Sequence, residues 1–303
     1  MTKVVIIIVN WNTGELLARC LRSLQSLPEG DLIDEVIVVD NASTDRSLVK
    51  AQVAVGESIN KPKVRFIKRP DNAGFAKANN MAMKLVLPRL DSETHVLLLN
   101  PDTEVGPGAL SGMTRVLGQD SLAGVVGPRL LNNDGSGQLS VRSFPTLGVF
   151  IFMFLKLNRI WPQAKRWRRY IRDDFDYGRQ VEVDQVKGAA FMIRGKLLES
   201  VGLLDEKFWV WFEEVDYCQR VKRAGGKIVY TPEAQVIHQG AASFNQLVGW
   251  RRSLPWLVSC LHYASKHLAW YKQAILLLLT PISILLIVPA TFFHLKERAN
   301  ENL

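Results

Sequence analysis

Hydrophobic and polar positions along the first hundred residues alternate between two periods. Lys3 to Asn10 (KVVIIIVN) is a continuous β-branched run, the pattern of a strand buried on both faces. Glu15 to Leu27 then carries Leu16, Leu17, Cys20, Leu21 and Leu24 at helical spacing, and Pro28 and Gly30 end that helix. Glu35 to Asp40 and Lys63 to Arg69 read as further strands, Phe75 to Leu87 as a helix, and His95 to Asn100 as another buried strand. Strands joined by helix-length crossovers predict an α/β fold, a mostly parallel Rossmann-like sheet with helices on both faces.

In such sheets ligands bind beyond the carboxyl ends of the strands. Three of these ends are polar: Asn10-Trp11-Asn12-Thr13, Asp40-Asn41-Ala42-Ser43-Thr44-Asp45 and Asn100-Pro101-Asp102-Thr103-Glu104. Each alone is ordinary turn and N-cap chemistry. Together on one sheet edge they point to a shared pocket. The loop Pro70 to Asn80 adds Asn72, Gly74 and Lys77, a set suited to a nucleotide or its phosphates. Farther along, Val186 to Gly195 joins small residues to an apolar strand, which fits backbone approaching a ligand. Glu213, Glu214 and Asp216 open a helix that ends near Gly225, preceded by Phe208, Trp209, Trp211 and Phe212. Acidic residues in a first turn answer the helix dipole, and Asp216 with Arg220 has the spacing of a surface ion pair. Aromatic walls also exclude water and raise a carboxyl pKa, as proton transfer requires.

Composition changes the picture in two places. The formal charge is +9, and Lys165, Arg166, Arg168, Arg169 and Arg172 crowd a stretch beside Trp161, Trp167 and Tyr170. That basic aromatic cluster, an insertion over about 145–178, suits nucleic-acid phosphates, anionic lipid headgroups or a solvated face. The apolar run Leu147 to Leu157 just upstream is too short to span a bilayer but apolar enough to dip into one, which favours a membrane surface and no nucleic acid. From Gln273 to Leu295 no Lys, Arg, Asp or Glu occurs. That length is enough to cross a hydrocarbon core of roughly 30 Å, while Pro281 and Pro289 also allow a broken helix lying along the interface. The expected division is a catalytic unit over 1–245 and a C-terminal helical, membrane-associating segment over 246–303. Three scattered cysteines (Cys20, Cys218 and Cys260) and an N-terminus without signal-peptide features lead us to expect the catalytic part in the cytosol.

The ordered set VNWN at Val9, VVDNAST at Val38, NAGFAKANN at Asn72, LLLNPDT at Leu97, KGAAFMIR at Lys187, FEEVDYCQR at Phe212 and VIHQG at Val236 resembles the family 2 glycosyltransferases, in their bacterial rhamnosyltransferase-like branch. The resemblance covers roughly the first 245 residues and implies a GT-A fold. It implies that Val9, Asn10 and Asn12 contact the donor base and ribose, that Asp40 holds the nucleotide, and that Asn72, Gly74 and Lys77 lie against the donor. Asp102 matches the last carboxylate of a DxD-like motif that binds Mg²⁺ or Mn²⁺, with Asn100 as an amide at its first position and His238 completing the shell. Glu214 matches the general base, with Glu213 and Asp216 as alternatives. The implied reaction is inverting transfer, with dTDP-rhamnose as donor and UDP-hexoses as alternatives. The implied acceptor is a polyprenyl diphosphate-linked glycan of a cell-envelope polysaccharide such as O-antigen. A non-catalytic scaffold on the same fold is the rival that Asn100 leaves open. A sugar-1-phosphate nucleotidyltransferase is disfavoured, because VNWNTGE stands where its Gly-rich basic loop belongs.

Overall fold

A computed structural model describes residues 2–56, 62–240, 246 and 250–301, with side chains through residue 286. The strands are β1 (Lys3–Asn10), β2 (Ile33–Asp40), β3 (Val64–Lys68), β4 (Thr94–Leu99), β5 (Thr103–Val105), β6 (Ala123–Leu131), β7 (Val141–Arg142), β8 (Val181–Val183), β9 (Gln185–Val186), β10 (Ala190–Arg194) and β11 (Lys227–His238). The helices are α1 (Gly14–Gln25), α2 (Ser47–Val55), α3 (Phe75–Val86), α4 (Ala109–Gln119), α5 (Leu147–Phe154), α6 (Leu157–Ile160), α7 (Lys165–Ile171), α8 (Leu197–Ser200), α9 (Glu213–Arg223), α10 (Trp250–His267) and α11 (Trp270–Glu301).

Nine strands form one sheet in the order β3-β2-β1-β4-β10-β6-β11-β5, with β8 paired to β11. β1 to β4, β6 and β11 run one way, and β5, β8 and β10 run against them. The sheet is therefore mostly parallel, as the apolar runs predict. β1 shows why. Val4, Ile6 and Ile8 enter the core under α1, α2 and α4, while Val5, Ile7 and Val9 enter the opposite core with α3 and α9. Full burial of each such side chain contributes about 1.5–3 kcal/mol, and between Lys3 and Asn10 every residue of the strand is apolar.

A third apolar cluster lies beyond the sheet. Val149, Phe150, Met153 and Phe154 of α5 pack against Phe212, Tyr263 and Leu276. α5 therefore buries these four side chains inside the protein, while Ile151, Phe152 and Leu155 are half-buried. α11 runs as one helix through Pro281 and Pro289, not as the broken helix the prolines allow. Among the described residues no helix is long and apolar enough to cross a membrane. The side chains of residues 287–295 in the uncharged stretch, and residues 241–245 at the expected division, lie outside the described residues.

Candidate active site

The sheet's topology brings four segments to one edge. β1 and β4 end side by side, and Asn100 N–H donates to the Ala189 carbonyl at 2.9 Å, which ties the end of β4 to the start of β10. β5 pairs with the last residues of β11, His238 opposite Thr103, and this sets Asp102 beside His238. α9 begins across the gap. Its entry is strained: Trp211 and Phe212 have φ of +62° and +71°, a region that costs non-glycine residues on the order of 1–3 kcal/mol each. That strained pair turns the chain so that Glu213 and Glu214 open the helix facing the sheet edge.

Between these segments lies a cavity of about 320 Å³. Of the residues singled out in the sequence, Val9, Asn72, Gly74, Asn100, Asp102, Glu213, Glu214 and His238 line it. Asn10, Asn12, Asp40, Lys77 and Asp216 do not. Asn10 is fully buried; its amide donates to Asp40 at 3.0 Å and to Ser43 at 2.9 Å, and its oxygen accepts from Thr13 at 2.6 Å. Asp40 also accepts from the Ser43 N–H. Asn12 accepts from the Thr44 N–H at 2.7 Å and so caps the same loop. These side chains fasten the ends of β1 and β2 to each other rather than facing the cavity. Lys77 is exposed on α3. Asp216 has no exposed surface and bonds Arg220 at 2.9 Å, Lys266 at 2.6 Å and His267 at 2.8 Å, clamping α10 to α9.

Gly74 answers a local requirement. Its φ is +83°, and a Cβ there would stand 2.4 Å from the Trp209 carbonyl oxygen, which the Phe75 N–H bonds at 2.7 Å. The loop is fixed from its other side by Asn41, whose amide donates to Asn72 at 2.8 Å.

The opposite wall holds the titratable groups. Gln138 receives a hydrogen bond from Lys187 Nζ at 3.1 Å and gives one to the His238 carbonyl at 2.6 Å. An ammonium only donates and a carbonyl only accepts, so both orient the Gln138 amide unambiguously. Its Oε1 then faces His238 Nδ1 at 3.0 Å, and Lys187 Nζ stands 3.4 Å from the same nitrogen. The other ring nitrogen, Nε2, lies 3.5 Å from Asp102 Oδ1. Burial brings the His238 pKa down to about 4; Lys187 acts in the same direction and Asp102 against it. A neutral imidazole nitrogen beside a carboxylate is a donor set that fits a divalent cation. Among the described residues no group of three or more His, Cys, Asp or Glu side chains could hold a metal ion.

Glu213 and Glu214 each keep one buried carboxylate oxygen without a hydrogen-bond partner. Burial raises both carboxyls. Glu213 is pushed well above the usual range, with the Glu214 charge adding to the effect. Glu214 is raised less, because backbone amides and the charges of Arg142 and Lys187 offset its desolvation. Glu214 packs against Gly188, where the absent side chain leaves room for it. The sequence pattern marks Gly188 to Ala190 by their small size but gives no signal for Lys187, and Gln138 sits in a turn-rich stretch that reads as punctuation. Trp11, Asn41 and Arg252 also line the cavity. Only the position of Asn41 and Trp11 at strand ends could have indicated them.

The family model described as Glycosyl transferase family 2 matches residues 5–198. The N-acetylglucosaminyl-diphospho-decaprenol L-rhamnosyltransferase of Mycobacterium tuberculosis is 28% identical over 275 residues, covering 88% of this chain and 86% of its own. Among solved structures, a mannosyltransferase from Pyrobaculum calidifontis in complex with GDP-Man and Mn²⁺ superposes with a TM-score of 0.56 at 16% identity, covering 95% of this chain and 73% of that one. GalNAc-T7 with UDP, GalNAc and Mn²⁺ superposes with a TM-score of 0.57 at 17% identity, covering 78% of this chain and 44% of that one. These likenesses establish a GT-A fold.

Proposed function

The chain belongs to glycosyl transferase family 2 and is a glycosyltransferase; from that premise we propose that it moves a sugar, with inversion, from a nucleotide diphosphate-sugar to a lipid-linked glycan. The observation that carries this reading is the pairing, in one cavity, of a buried Asp102/His238 donor set with a buried, hydrogen-bond-deficient Glu214. Val9, Trp11, Asn41 and Asn72 line the end of the cavity that would receive base and ribose. Asp102 and His238 would hold Mg²⁺ or Mn²⁺, which supplies charge neutralisation for a departing diphosphate. Lys187 places a second positive charge at the same wall. Gln138 braces His238 from two sides, through its ring Nδ1 and its carbonyl.

Glu214 is the general base. It takes the proton of the acceptor hydroxyl as that oxygen attacks the anomeric carbon, while the bond from that carbon to the diphosphate oxygen breaks on the opposite face. A single displacement inverts the configuration. Burial makes Glu214 a stronger base than an exposed glutamate, and Arg142 with Lys187 keeps it ionisable. The same desolvation holds Glu213 protonated longer, so the pair divides its roles.

Rhamnose as the transferred sugar and a polyprenyl diphosphate-linked acceptor follow from the resemblance to the mycobacterial rhamnosyltransferase. A membrane surface as the place of work is supported by α11, where Trp270, Leu277, Leu278 and Leu285 are all more than half exposed. The test is transfer by the purified full chain, with Mn²⁺, to a polyprenyl diphosphate-linked N-acetylglucosamine from dTDP-rhamnose and from a panel of UDP-hexoses. Turnover with dTDP-rhamnose, abolished by a chelator, is expected. Turnover with a UDP-hexose alone would reassign the donor, and no turnover with any donor would overturn the reading.

A further inference from the structure

A second concavity, of about 450 Å³, runs along α10 outside the candidate active site. Its walls are Trp209, Trp250, Leu254, Pro255 and Val258. Trp250, Leu254 and Val258 recur every four residues and so share one helix face; they are 59%, 44% and 52% exposed. The opposite face of α10 is already used, since Leu257, Cys260, Tyr263 and Ala264 are buried in the third apolar cluster. A helix with one apolar face packed and a second left open is a docking element rather than a core element.

The groove adjoins the active-site cavity. Trp209 lines both, and the consecutive residues Arg251 and Arg252 line the groove and the cavity respectively. Lys207 adds a third positive charge on the groove side. The junction is held in place: Ser259 Oγ donates to the Val210 carbonyl at 2.7 Å, pinning α10 to the segment that carries Trp209. An apolar trough, a cationic junction and a cavity containing a carboxylate base therefore follow one another.

We propose that the groove holds the prenyl chain of the acceptor, with the acceptor's diphosphate at the Arg251–Arg252 junction and its sugar beyond Trp209, within the cavity that Glu214 lines. The proposal rests on the reading of the acceptor as a prenyl diphosphate-linked glycan. A ligand with an apolar chain, a dianionic or more highly charged linker and a sugar, in that order, matches all three parts. A flat bilayer would meet the exposed groove rim but would not use the junction, and a second copy of the chain would not need the positive charges.

The test uses the full chain and farnesyl diphosphate as probe, with inorganic pyrophosphate and neutral phosphatidylcholine vesicles as controls, all measured by calorimetry or tryptophan fluorescence. Farnesyl diphosphate is expected to bind at least about tenfold more tightly than pyrophosphate, the burial of a few methylenes being sufficient for that ratio. The double variant Leu254→Asp/Val258→Asp changes only exposed positions. It should erase the difference while leaving dTDP affinity within twofold. Equal binding of the two probes, or a variant that keeps the preference, would overturn the proposal. So would a variant that loses vesicle binding while retaining farnesyl diphosphate. Because the readout involves no donor and no turnover, failure here contradicts the groove assignment alone. Absence of transfer to any lipid-linked sugar would instead contradict the acceptor reading.

Discussion

The two walls of the cavity are built by opposite rules. On the β1–β2 side the polar residues are satisfied by one another: Asn10 makes three side-chain hydrogen bonds, to Asp40, Ser43 and Thr13, and Asn41 bridges to Asn72 and the Gly74 carbonyl. On the β5–β11–α9 side, Glu213 and Glu214 carry buried oxygens without partners, and the buried His238 ring stands 3.5 Å from the Asp102 carboxylate. Buried polar atoms left unsatisfied cost about 1–3 kcal/mol each, and such costs concentrate where substrate is to complete the set. On the proposed mechanism the contrast separates residues that shape the pocket from residues that act in it, although the same residue types occur on both walls.

The contrast can be sharpened by substitution. The largest effect after the base itself is expected at Asp102→Asn, which leaves the fold intact but should weaken Mn²⁺-dependent nucleotide binding on the order of 100-fold, or roughly 3 kcal/mol. Calorimetric titration of dTDP with and without Mn²⁺ reads this directly, and unchanged metal dependence would remove Asp102 from the donor set. Asn10→Ala should behave in the opposite way. It strands the buried Asp40 carboxylate and the Thr13 hydroxyl, so unfolding should become easier by about 1–3 kcal/mol. Activity per folded molecule should fall only modestly. A large loss of kcat with unchanged denaturation midpoint would break the distinction between the walls.

Much of the fold is legible in the chain because the sheet is buried on both faces. Continuous β-branched runs such as Lys3 to Asn10 admit one reading, and α1, α3 and α9 begin within a residue of where capping and periodicity place them. Legibility ends where long-range pairing decides side-chain direction. Asp102 and His238 meet because β5 pairs with β11 across more than a hundred residues, and Asp216 turns away from Glu214 because Lys266 and His267 come to it from α10. Neither outcome has a local signature. Lys187 and Gln138 are likewise silent, since each acquires its role only by meeting His238. The inward packing of α5 illustrates the same limit: an apolar run specifies that it will be covered, not by what.

The most direct measurement is the pH dependence of kcat/KM for the native chain and for Glu214→Gln, alongside donor affinity. A base works only when deprotonated, and burial raises the pKa of Glu214. Activity should therefore rise with pH through a limb lying above the ordinary glutamate value of about 4.3. Glu214→Gln should lose about 10²- to 10⁴-fold in kcat, with donor affinity within a few-fold of native. A variant that keeps native turnover, or a native profile flat down to the ordinary glutamate range, would contradict Glu214 as the base.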